Sequence, residues 1–261
     1  LSAQGELVNG AHAAFTNSPW ALNAREMKKA LSLKYFRVVN DFEALATGLS
    51  ALKKEDFLSV RTGAGDAHAP VLVMGPGTGL GQALVVPCGA EQRVIPTEGG
   101  HVSFAPRTDE EIAVMKFIMK EHGRVSVERI LSGRGIVNLH RALCAINGAV
   151  FTPMRADEIT AAALSGDNEL AQRAVNLFCE CLGRVAGDGV LGTGARGGVV
   201  LGGGILPKIR DFFMKSAFVE RFLDKGRMRY YVENVPVRIV ITDGAALAGA
   251  AVMAGKGCHE Y

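Results

Sequence analysis

The sequence contains few cysteines and no long apolar segment. Its five cysteines lie at positions 88, 144, 179, 181 and 258, without the paired spacing of a disulfide framework or a zinc site. Cys179 and Cys181 fall in a segment with helical periodicity, where residues two apart point to different sides, so both are predicted to fill the core. No apolar run approaches the roughly 18 residues of a membrane span, and the first ten residues lack the pattern of a secretion signal. We therefore expect a soluble cytoplasmic protein without a membrane partner.

A strong excess of charge of either sign is also absent. The 29 basic and 26 acidic residues are spread along the chain and give a net charge of +3. Composition therefore predicts no nucleic-acid partner and leaves small polar ligands open. With 48% hydrophobic residues the 261-residue chain can bury a large core, and its length fits one large domain or two smaller ones.

Apolar runs rich in β-branched residues recur between segments with helical periodicity. They are FRVVN, PVLVM, QALVVP, GGVVLGG and VRIVITDG, each bounded by Gly, Pro or charged residues. This alternation predicts an α/β protein. At the end of the first run, the segment RVVNDFEALATG places Asp41 where a predicted buried strand gives way to a predicted helix. A carboxylate at such a junction calls for a functional reason.

Two long helices are predicted. The first runs from the cap Thr108 to the stop signal Gly123, and Glu111 completes a capping box. Its predicted apolar face is Ile112, Met115, Ile118 and Met119. The second runs from Ser165 to about Gly189, with a predicted stripe of Leu170, Ala174, Leu177, Cys181 and Val185.

Two glycine-rich loops follow predicted strands. The segment VLVMGPGTGLGQALVV places glycines at 75, 77, 79 and 81, and the β-branched run after them predicts a β-hairpin rather than a dinucleotide-binding turn. Such a loop either brings backbone N–H groups close to a phosphate or is a turn without a ligand. The segment GGVVLGGGILPK predicts a strand at 198–201 that leads into Gly202, Gly203 and Gly204 and a helix start near Pro207. Alone, this loop is also compatible with tight packing of a helix on a sheet.

Carboxylates and an imidazole occur where they can face a ligand. The segment PTEGGHVSFAP holds Glu98 and His101 around two glycines, and Glu128 follows in SVERILSG. A carboxylate can accept hydrogen bonds from neighbouring hydroxyls and a neutral histidine can donate or accept, so a sugar would match these groups. Taken singly, His101 can be a satisfied turn histidine and Glu128 an acidic residue in the first turn of a helix.

These motifs together resemble those of a known family. In order along the chain, VVNDFEA, GPGTGLG, EGGHVSFAP, VERILSGRGIVNL and GGVVLGGGILP resemble the bacterial-type ATP-dependent glucokinases of the sugar kinase and actin superfamily. FTNSPWAL and AREMKKAL fit the same family, so the resemblance covers essentially the whole chain. It implies transfer of the γ-phosphate of ATP to the 6-hydroxyl of D-glucose.

The resemblance also implies roles for individual residues. Asp41 corresponds to the catalytic base, and Asn40, Asp41, Glu98, His101 and Glu128 correspond to the sugar ligands. The second phosphate loop corresponds to Gly75, Gly77, Thr78, Gly79 and Gly81, and the adenosine loop to Gly202, Gly203 and Gly204. Mg²⁺ would be held on the nucleotide phosphates, partly through water, rather than in a dedicated cage. A homodimer is implied as well.

The fold implied by the resemblance has two α/β lobes of ribonuclease-H-like type with a cleft between them. The small lobe would comprise residues 1–51 and 242–261, and the large lobe residues 52–241. The returning segment ITDGAALAGAAVMAG is rich in small residues suited to close helix packing. The family also carries a first phosphate loop of the type D-x-G-G-T-N, which this sequence lacks. We therefore expect an incomplete small lobe and full turnover only in a form extended upstream.

The sequence also bears on three other functions. The related ROK sugar kinases and repressors carry a cysteine-rich zinc motif after their histidine, and its absence here argues against a zinc-binding repressor. A glucose-binding sensor or structural relative that does not turn over is the main alternative. A nucleotide-dependent oxidoreductase is disfavoured, because the first glycine loop leads into a strand.

Overall fold

The strands of the computed structural model form two sheets within the residues that the structure describes, 7–8, 12–15, 18–33, 36 and 38–255. The first sheet is antiparallel and contains β1 (Leu7–Val8), β2 (His12–Phe15) and β3 (Ser18–Asn23). The second has six strands in the order β4 (Phe57–Arg61), β9 (Val237–Val240), β8 (Gly198–Leu201), β5 (Val71–Pro76), β6 (Leu80–Cys88) and β7 (Glu91–Thr97).

Helices account for most of the remaining described chain. They are α1 (Ala24–Ala30), α2 (Asp41–Gly48), α3 (Asp109–His122), α4 (Gly133–Ile146), α5 (Ala156–Ser165), α6 (Glu169–Thr193), α7 (Arg210–Lys215), α8 (Phe218–Leu223), α9 (Arg229–Val232) and α10 (Ala245–Gly255). The α/β class predicted from the alternating runs is confirmed. None of these helices combines the length and apolarity needed to cross a bilayer.

The six-stranded sheet is mixed, and its parallel strands are the most apolar. Strand β8 is flanked by β5 and β9, both parallel to it, and all four of its residues are buried. Burial on both faces explains why GVVL is a continuous apolar run rather than an alternating one. Strands β5 and β6 are antiparallel and paired from Val71 with Val85 to Pro76 with Leu80. The predicted β-hairpin is therefore confirmed, with the loop of the first glycine cluster at its tip.

Helices cover both faces of this sheet unequally. The larger core lies on the face that α4 and α6 cover, and its largest buried side chains include Phe178, Phe213 and Phe218. On the other face, α2 packs through Phe42 and Leu45 onto the middle of the sheet. Helix α10 lies directly against α2, as its small residues predicted. A Cβ at Gly249 would fall 1.7 Å from the Ala44 carbonyl oxygen, so only glycine permits this approach.

One predicted strand is wrong. Among the described residues of FRVVN no strand is found, and Val39 forms only an isolated bridge. Val38 and Val39 are nevertheless buried, so the apolar run reflects burial of an irregular segment. An apolar run of this length does not by itself distinguish a buried strand from a buried irregular segment.

The prediction for α3 is correct in its ends and only partly correct in its buried face, which includes Ile118 of the predicted residues. Thr108 caps the helix and Gly123 stops it in a left-handed conformation, φ 68°. Glu111 takes part in this cap as predicted: its N–H donates to Thr108 Oγ1 at 3.2 Å, and its carboxylate accepts the N–H of Arg107 at 2.7 Å. The buried residues are Glu111, Val114 and Ile118, whereas Met119 of the predicted face is 40% exposed. A charged residue has taken a core position.

The second predicted helix is confirmed as α6, which begins at Glu169 rather than Ser165 and ends at Thr193 rather than near Gly189. Helix α5 ends at Ser165, followed by Gly166 with φ 81°, and α6 begins at Glu169. The side chain of Asn168 caps α6 by accepting the N–H of Ala171 at 2.9 Å. A left-handed glycine followed by an Asn cap thus separates α5 from α6 and sets the start of the predicted helix. Cys179 and Cys181 are fully buried in α6, which confirms them as core residues.

Helix α4 buries a histidine that makes the stability of the fold depend on pH. His140 is 2% exposed, its Nε2 lies 3.7 Å from the Cys144 sulfur, and its Nδ1 has no hydrogen-bond partner among the described residues. Burial lowers the pKa of His140 below its ordinary value of 6.5. A histidine of lowered pKa binds its proton more readily in the unfolded chain. Stability is therefore lost as the pH falls below about 6.5.

Replacing His140 with Leu is expected to reduce this pH dependence, since the titrating ring is removed and an apolar side chain of similar size remains. The measurement is the free energy of unfolding in urea near neutral pH and in mild acid. The exposed His68 supplies the control, and His68→Gln should retain the wild-type dependence. An equal fall in stability for wild type and His140→Leu would contradict the assignment.

Candidate functional site

The start of β6 connects several of the predicted site residues. The N–H of Leu80, the first residue of the strand, donates to the Glu128 carboxylate at 2.9 Å. Glu128 lies in a 3₁₀ turn, Val127–Arg129, and is half-buried. A backbone donor on a rigid strand therefore fixes one oxygen of Glu128, and the other remains available to a ligand.

The turn that carries Glu98 and His101 packs on the same strand residues. Gly99–His101 forms a 3₁₀ turn, and a Cβ at Gly100 would lie 2.2 Å from the Leu80 carbonyl oxygen. The two glycines are thus needed for the close approach of turn and strand. Glu98 Oε2 and His101 Nε2 lie 3.7 Å apart, and both side chains are more than half exposed. The predicted short turn that presents a carboxylate beside an imidazole is confirmed.

Asp41 is the first residue of α2, and Asn40 caps that helix. The Oδ1 of Asn40 accepts the N–H groups of Phe42 at 2.8 Å and Glu43 at 3.3 Å. This cap uses the side-chain oxygen, so the amide NH₂ group is the part of Asn40 that can donate to a sugar hydroxyl. Asp41 therefore stands at a helix start rather than at a strand end, and its Oδ1 accepts the N–H of Phe42 at 3.0 Å.

Phe42 attaches the start of α2 to both glycine loops. A Cβ at Gly81 would lie 1.8 Å from the Phe42 ring, and one at Gly75 would lie 3.0 Å from it. At Gly202 a Cβ would meet Leu45 at 2.5 Å. These three glycines therefore have a packing role, because they make room for the helix that carries Asp41.

The two glycine loops predicted from the sequence lie against each other. The Gly202 N–H donates to the Met74 carbonyl oxygen at 2.9 Å. Gly203 has φ +87°, and a Cβ there would lie 2.4 Å from the Pro76 carbonyl oxygen, so this position requires glycine for its conformation and for space. Two segments more than a hundred residues apart in the sequence thus form one glycine-lined surface at the tip of the hairpin.

Only some of the glycines leave room for a ligand. A Cβ at Gly77 or Gly204 would have no other atom within 4 Å, and Thr78 is exposed. Gly79 is buried, and its carbonyl oxygen accepts the Gly77 N–H at 2.8 Å. The open space therefore lies over positions 77, 78 and 204. Among the described residues, no group of three or more His, Cys, Asp or Glu side chains could hold a metal ion.

A cavity of about 470 Å³ joins the hairpin tip to part of the predicted sugar site. Thr78, Gly79, His101 and Glu128 line it together. Asn40, Asp41 and Glu98 do not line this cavity. Successive strand residues point to opposite faces of a sheet, and α2 lies on the face of Gly81, whereas the turn at 98–101 contacts Leu80 and Gln82. The predicted residues thus surround one end of the sheet from both faces.

Further polar side chains in this cavity were not singled out from the sequence. They include Ser132, Arg134 and Asn138, all within the quoted segment VERILSGRGIVNL. Ser132 caps α4, its Oγ accepting the Gly135 N–H at 3.0 Å, and the Gly133 N–H donates to the Gly77 carbonyl oxygen at 2.8 Å. The Ser-Gly pair in the sequence is typical of a helix start and could have predicted the cap. No local pattern indicates that this helix start contacts the hairpin of β5 and β6.

Burial changes the acidity of Asp41. Desolvation raises the pKa of the Asp41 carboxyl above its ordinary value of 3.8, and its hydrogen bond from the Phe42 N–H acts in the opposite direction. A carboxylate of raised pKa is a better proton acceptor while it remains ionised near neutral pH. The site therefore contains one half-buried carboxylate suited to act as a base.

Comparison with known proteins identifies the family. The glucokinase family model matches residues 2–257, and the glucokinase of Chromobacterium violaceum is 41% identical over 244 residues, which span 94% of this chain and 70% of that protein. The chain belongs to the glucokinase family. Another glucokinase, from Marinobacter nauticus, is 43% identical over 250 residues, which span 95% of this chain and 78% of that protein.

The fold of the glucokinase family is confirmed by a solved structure. The crystal structure of glucokinase from an Antarctic psychrotroph superposes with a TM-score of 0.87 and 37% identity, covering 98% of this chain and 79% of that one. The two-lobed, ribonuclease-H-like α/β class predicted from the resemblance is therefore correct. The roles of single residues stay predictions.

Proposed function

We propose that this chain transfers the γ-phosphate of ATP to the 6-hydroxyl of D-glucose and releases ADP and glucose 6-phosphate. One observation in this member of the glucokinase family carries the proposal. One end of the sheet brings together the two glycine loops, the start of the Asp41 helix, and the turns with Glu98, His101 and Glu128. Phosphoryl transfer depends mainly on positioning and on stabilisation of charge, and rigid turns around one strand supply positioning.

Asp41 is the residue that we propose as the general base. It accepts the proton of the sugar 6-hydroxyl while that oxygen forms a bond to the γ-phosphorus and the bond from phosphorus to the bridging oxygen of ADP breaks. The Asn40 cap and the Phe42 contact with Gly81 hold the start of α2 against the hairpin. The carboxylate is therefore held in place before substrate arrives, which limits the loss of orientational freedom during the reaction.

The sugar would be bound by Asn40, Asp41, Glu98, His101 and Glu128. Glu128 suits this task because the Leu80 N–H orients its carboxylate. His101 and Glu98 are exposed on their turn and close to each other, so both can reach hydroxyls that a bound sugar presents. The pairing of a carboxylate with neighbouring hydroxyl donors matches a neutral polyol better than an anion.

The glycine-lined surface fits a nucleotide. The open space over Gly77, Thr78 and Gly204 would admit phosphates close to the backbone. The remaining glycines would allow the close packing that holds the two loops together; they are Gly75, Gly79, Gly81, Gly202 and Gly203. Mg²⁺ would be held by the phosphates and by water, where it would neutralise charge during transfer. The same proposal includes a homodimer, a cytoplasmic location and a division into two lobes. One lobe contains residues 1–51 and 242–261, and the other contains residues 52–241. The close packing of α10 on α2 supports the joining of the two outer segments in one lobe.

The test is formation of glucose 6-phosphate from ATP, Mg²⁺ and glucose, followed by ³¹P NMR, which distinguishes the 6-phosphate from other sugar phosphates. It is run on the 261-residue chain and on a form extended upstream, with glucose binding measured on both by calorimetry. Product that requires both ATP and glucose is the expected result in at least the longer form. Glucose binding without product in either form would overturn the kinase proposal in favour of a glucose sensor.

A further inference from the structure

A groove of about 550 Å³ lies on the α2 face of the six-stranded sheet, beside the end of that helix. Its floor consists of Val71, Val85 and Val200, from the adjacent strands β5, β6 and β8. Leu49 and Leu52, which follow α2, add to the apolar lining. The groove contains none of the residues assigned above to glucose or ATP, so it is a separate feature of the fold.

Basic side chains surround this apolar floor. Lys53, Lys54 and Arg238 line the groove and are exposed, and no Asp or Glu lines it. Within the described residues, none of these three cations forms an ion pair. The carboxylate of Asp56, close to the two lysines in sequence, accepts the backbone N–H of Lys53 at 2.8 Å. The guanidinium of Arg238 lies 4.9 Å from the centre of the Phe57 ring, which holds it over the groove.

We propose that this groove binds an organic anion composed of an apolar chain and a carboxylate head. The chain would cover the partly exposed side chains of Leu49, Leu52 and Val71 above the buried Val85 and Val200, which the hydrophobic effect favours. The carboxylate would meet Arg238 and the two lysines, and a guanidinium can bind both carboxylate oxygens at once. A small inorganic anion would leave the partly exposed leucines and Val71 uncovered, and a neutral lipid would leave the cations unpaired. The combination therefore favours an amphipathic anion.

The pairing of β4 with β9 provides a selective test. Ser59 on β4 is opposite Arg238 on β9, and both line the groove. Directly opposite residues on one face of a sheet have Cβ atoms roughly 5 Å apart. Ser59→Glu thus places a carboxylate beside the guanidinium without removing any packing, and Ser59→Gln adds a side chain of the same size without charge.

Calorimetry with decanoate as the probe measures the binding. We expect wild type to bind decanoate and not the decyltrimethylammonium cation, which has an alkyl chain of nearly the same length and the opposite charge. Ser59→Glu should weaken decanoate binding at least tenfold, as should Lys53→Gln combined with Lys54→Gln. Ser59→Gln should stay within twofold of wild type, as should the control Lys116→Gln combined with Lys120→Gln on α3.

Several results would overturn the proposal. They are absence of decanoate binding by wild type, equal affinity in Ser59→Glu, and displacement of decanoate by glucose or ATP, which would place the probe in the proposed kinase site.

Sedimentation velocity on the same variants tests a second occupant. If wild type self-associates without binding decanoate and Ser59→Glu dissociates it, the groove is an interface between two copies of the chain. The proposal does not rest on the kinase function, and a failed kinase assay would leave it standing.

Discussion

Replacement of Asp41 by Asn is expected to lower kcat for glucose phosphorylation by about 10²- to 10⁴-fold, the usual contribution of a general base. An amide has nearly the same shape as the carboxylate but cannot accept the proton of the 6-hydroxyl. Contacts that bind the sugar from Glu98, His101 and Glu128 would remain, so the Kd for glucose should change only a few-fold. Turnover is measured by initial rates with saturating ATP and glucose, and binding by calorimetry, in the form of the protein that shows turnover.

Two further measurements separate a catalytic role from a structural one. Glu43→Gln removes a carboxylate from the same turn of α2 and should retain turnover. Because burial raises the pKa of Asp41 above 3.8, the folded state disfavours the charged form, and wild type loses stability as the pH rises through that raised pKa. Asp41→Asn should therefore be as stable as wild type in acid and more stable near neutral pH. A rate near wild type would show that Asp41 is not the base, and a large loss of stability would give the lost rate a structural cause.

Those parts of the fold that depend on neighbours in sequence could be predicted. The ends of α3 follow from Thr108 and Gly123, since a cap and a left-handed glycine act within one turn of the helix. The hairpin of β5 and β6 follows from the glycine tip and the β-branched residues on each side. The small residues of α10 likewise predicted close packing, and Gly249 against Ala44 shows why they are needed.

Features that depend on distant partners could not be predicted. Glu111 takes a core position because Arg184, 73 residues later in the chain, meets it there, and helical periodicity counts a glutamate as a surface residue. The glycines at 75 and 81 were predicted to approach a phosphate, yet Phe42 from another segment fills the space beside them. A glycine is required in either case, so the sequence alone could not distinguish packing from ligand binding.

Much of the candidate site could be named from the sequence but not assembled. His101 and Glu128 were predicted as separate motifs, and the structure brings both to a cavity with Thr78 and Gly79. Ser132, Arg134 and Asn138 complete that cavity because α4 begins beside the hairpin tip, where the Gly133 N–H meets the Gly77 carbonyl oxygen. Their place in the site follows from this long-range contact, which leaves no local pattern.

The pair of Glu111 and Arg184 should dominate the stability of the larger core. Glu111 is 1% exposed, and Arg184 Nη2 donates to its Oε1 at 2.5 Å while Nη1 donates to Oε2. Burial alone would raise the pKa of Glu111, but Arg184 and the N–H groups of Arg107 and Thr108 together lower it. The carboxylate is thus fully compensated when charged, and it links α3 to α6 across the core.

Glu111→Gln is expected to destabilise the fold by about 3–5 kcal/mol, because it leaves the Arg184 charge buried without its partner. At roughly 2–4 °C for each kcal/mol, Tm should fall by on the order of 10 °C. Urea unfolding and calorimetric melting near neutral pH measure both quantities. Glu121 on the same helix pairs with Arg141 at the surface, so Glu121→Gln should cost less than about 1 kcal/mol.

The pH dependence and a double variant test the cause of this loss. A carboxyl whose pKa is lowered on folding contributes stability that is present above its unfolded value, near 4.5, and is lost as the pH falls through the folded pKa. The gap between wild type and Glu111→Gln should therefore narrow in acid. Replacing both Glu111 and Arg184 with Leu should cost less than Glu111→Gln, since no buried charge is left unpaired. If the double variant is the less stable of the two, shape and hydrogen bonding rather than the unpaired charge determine the loss.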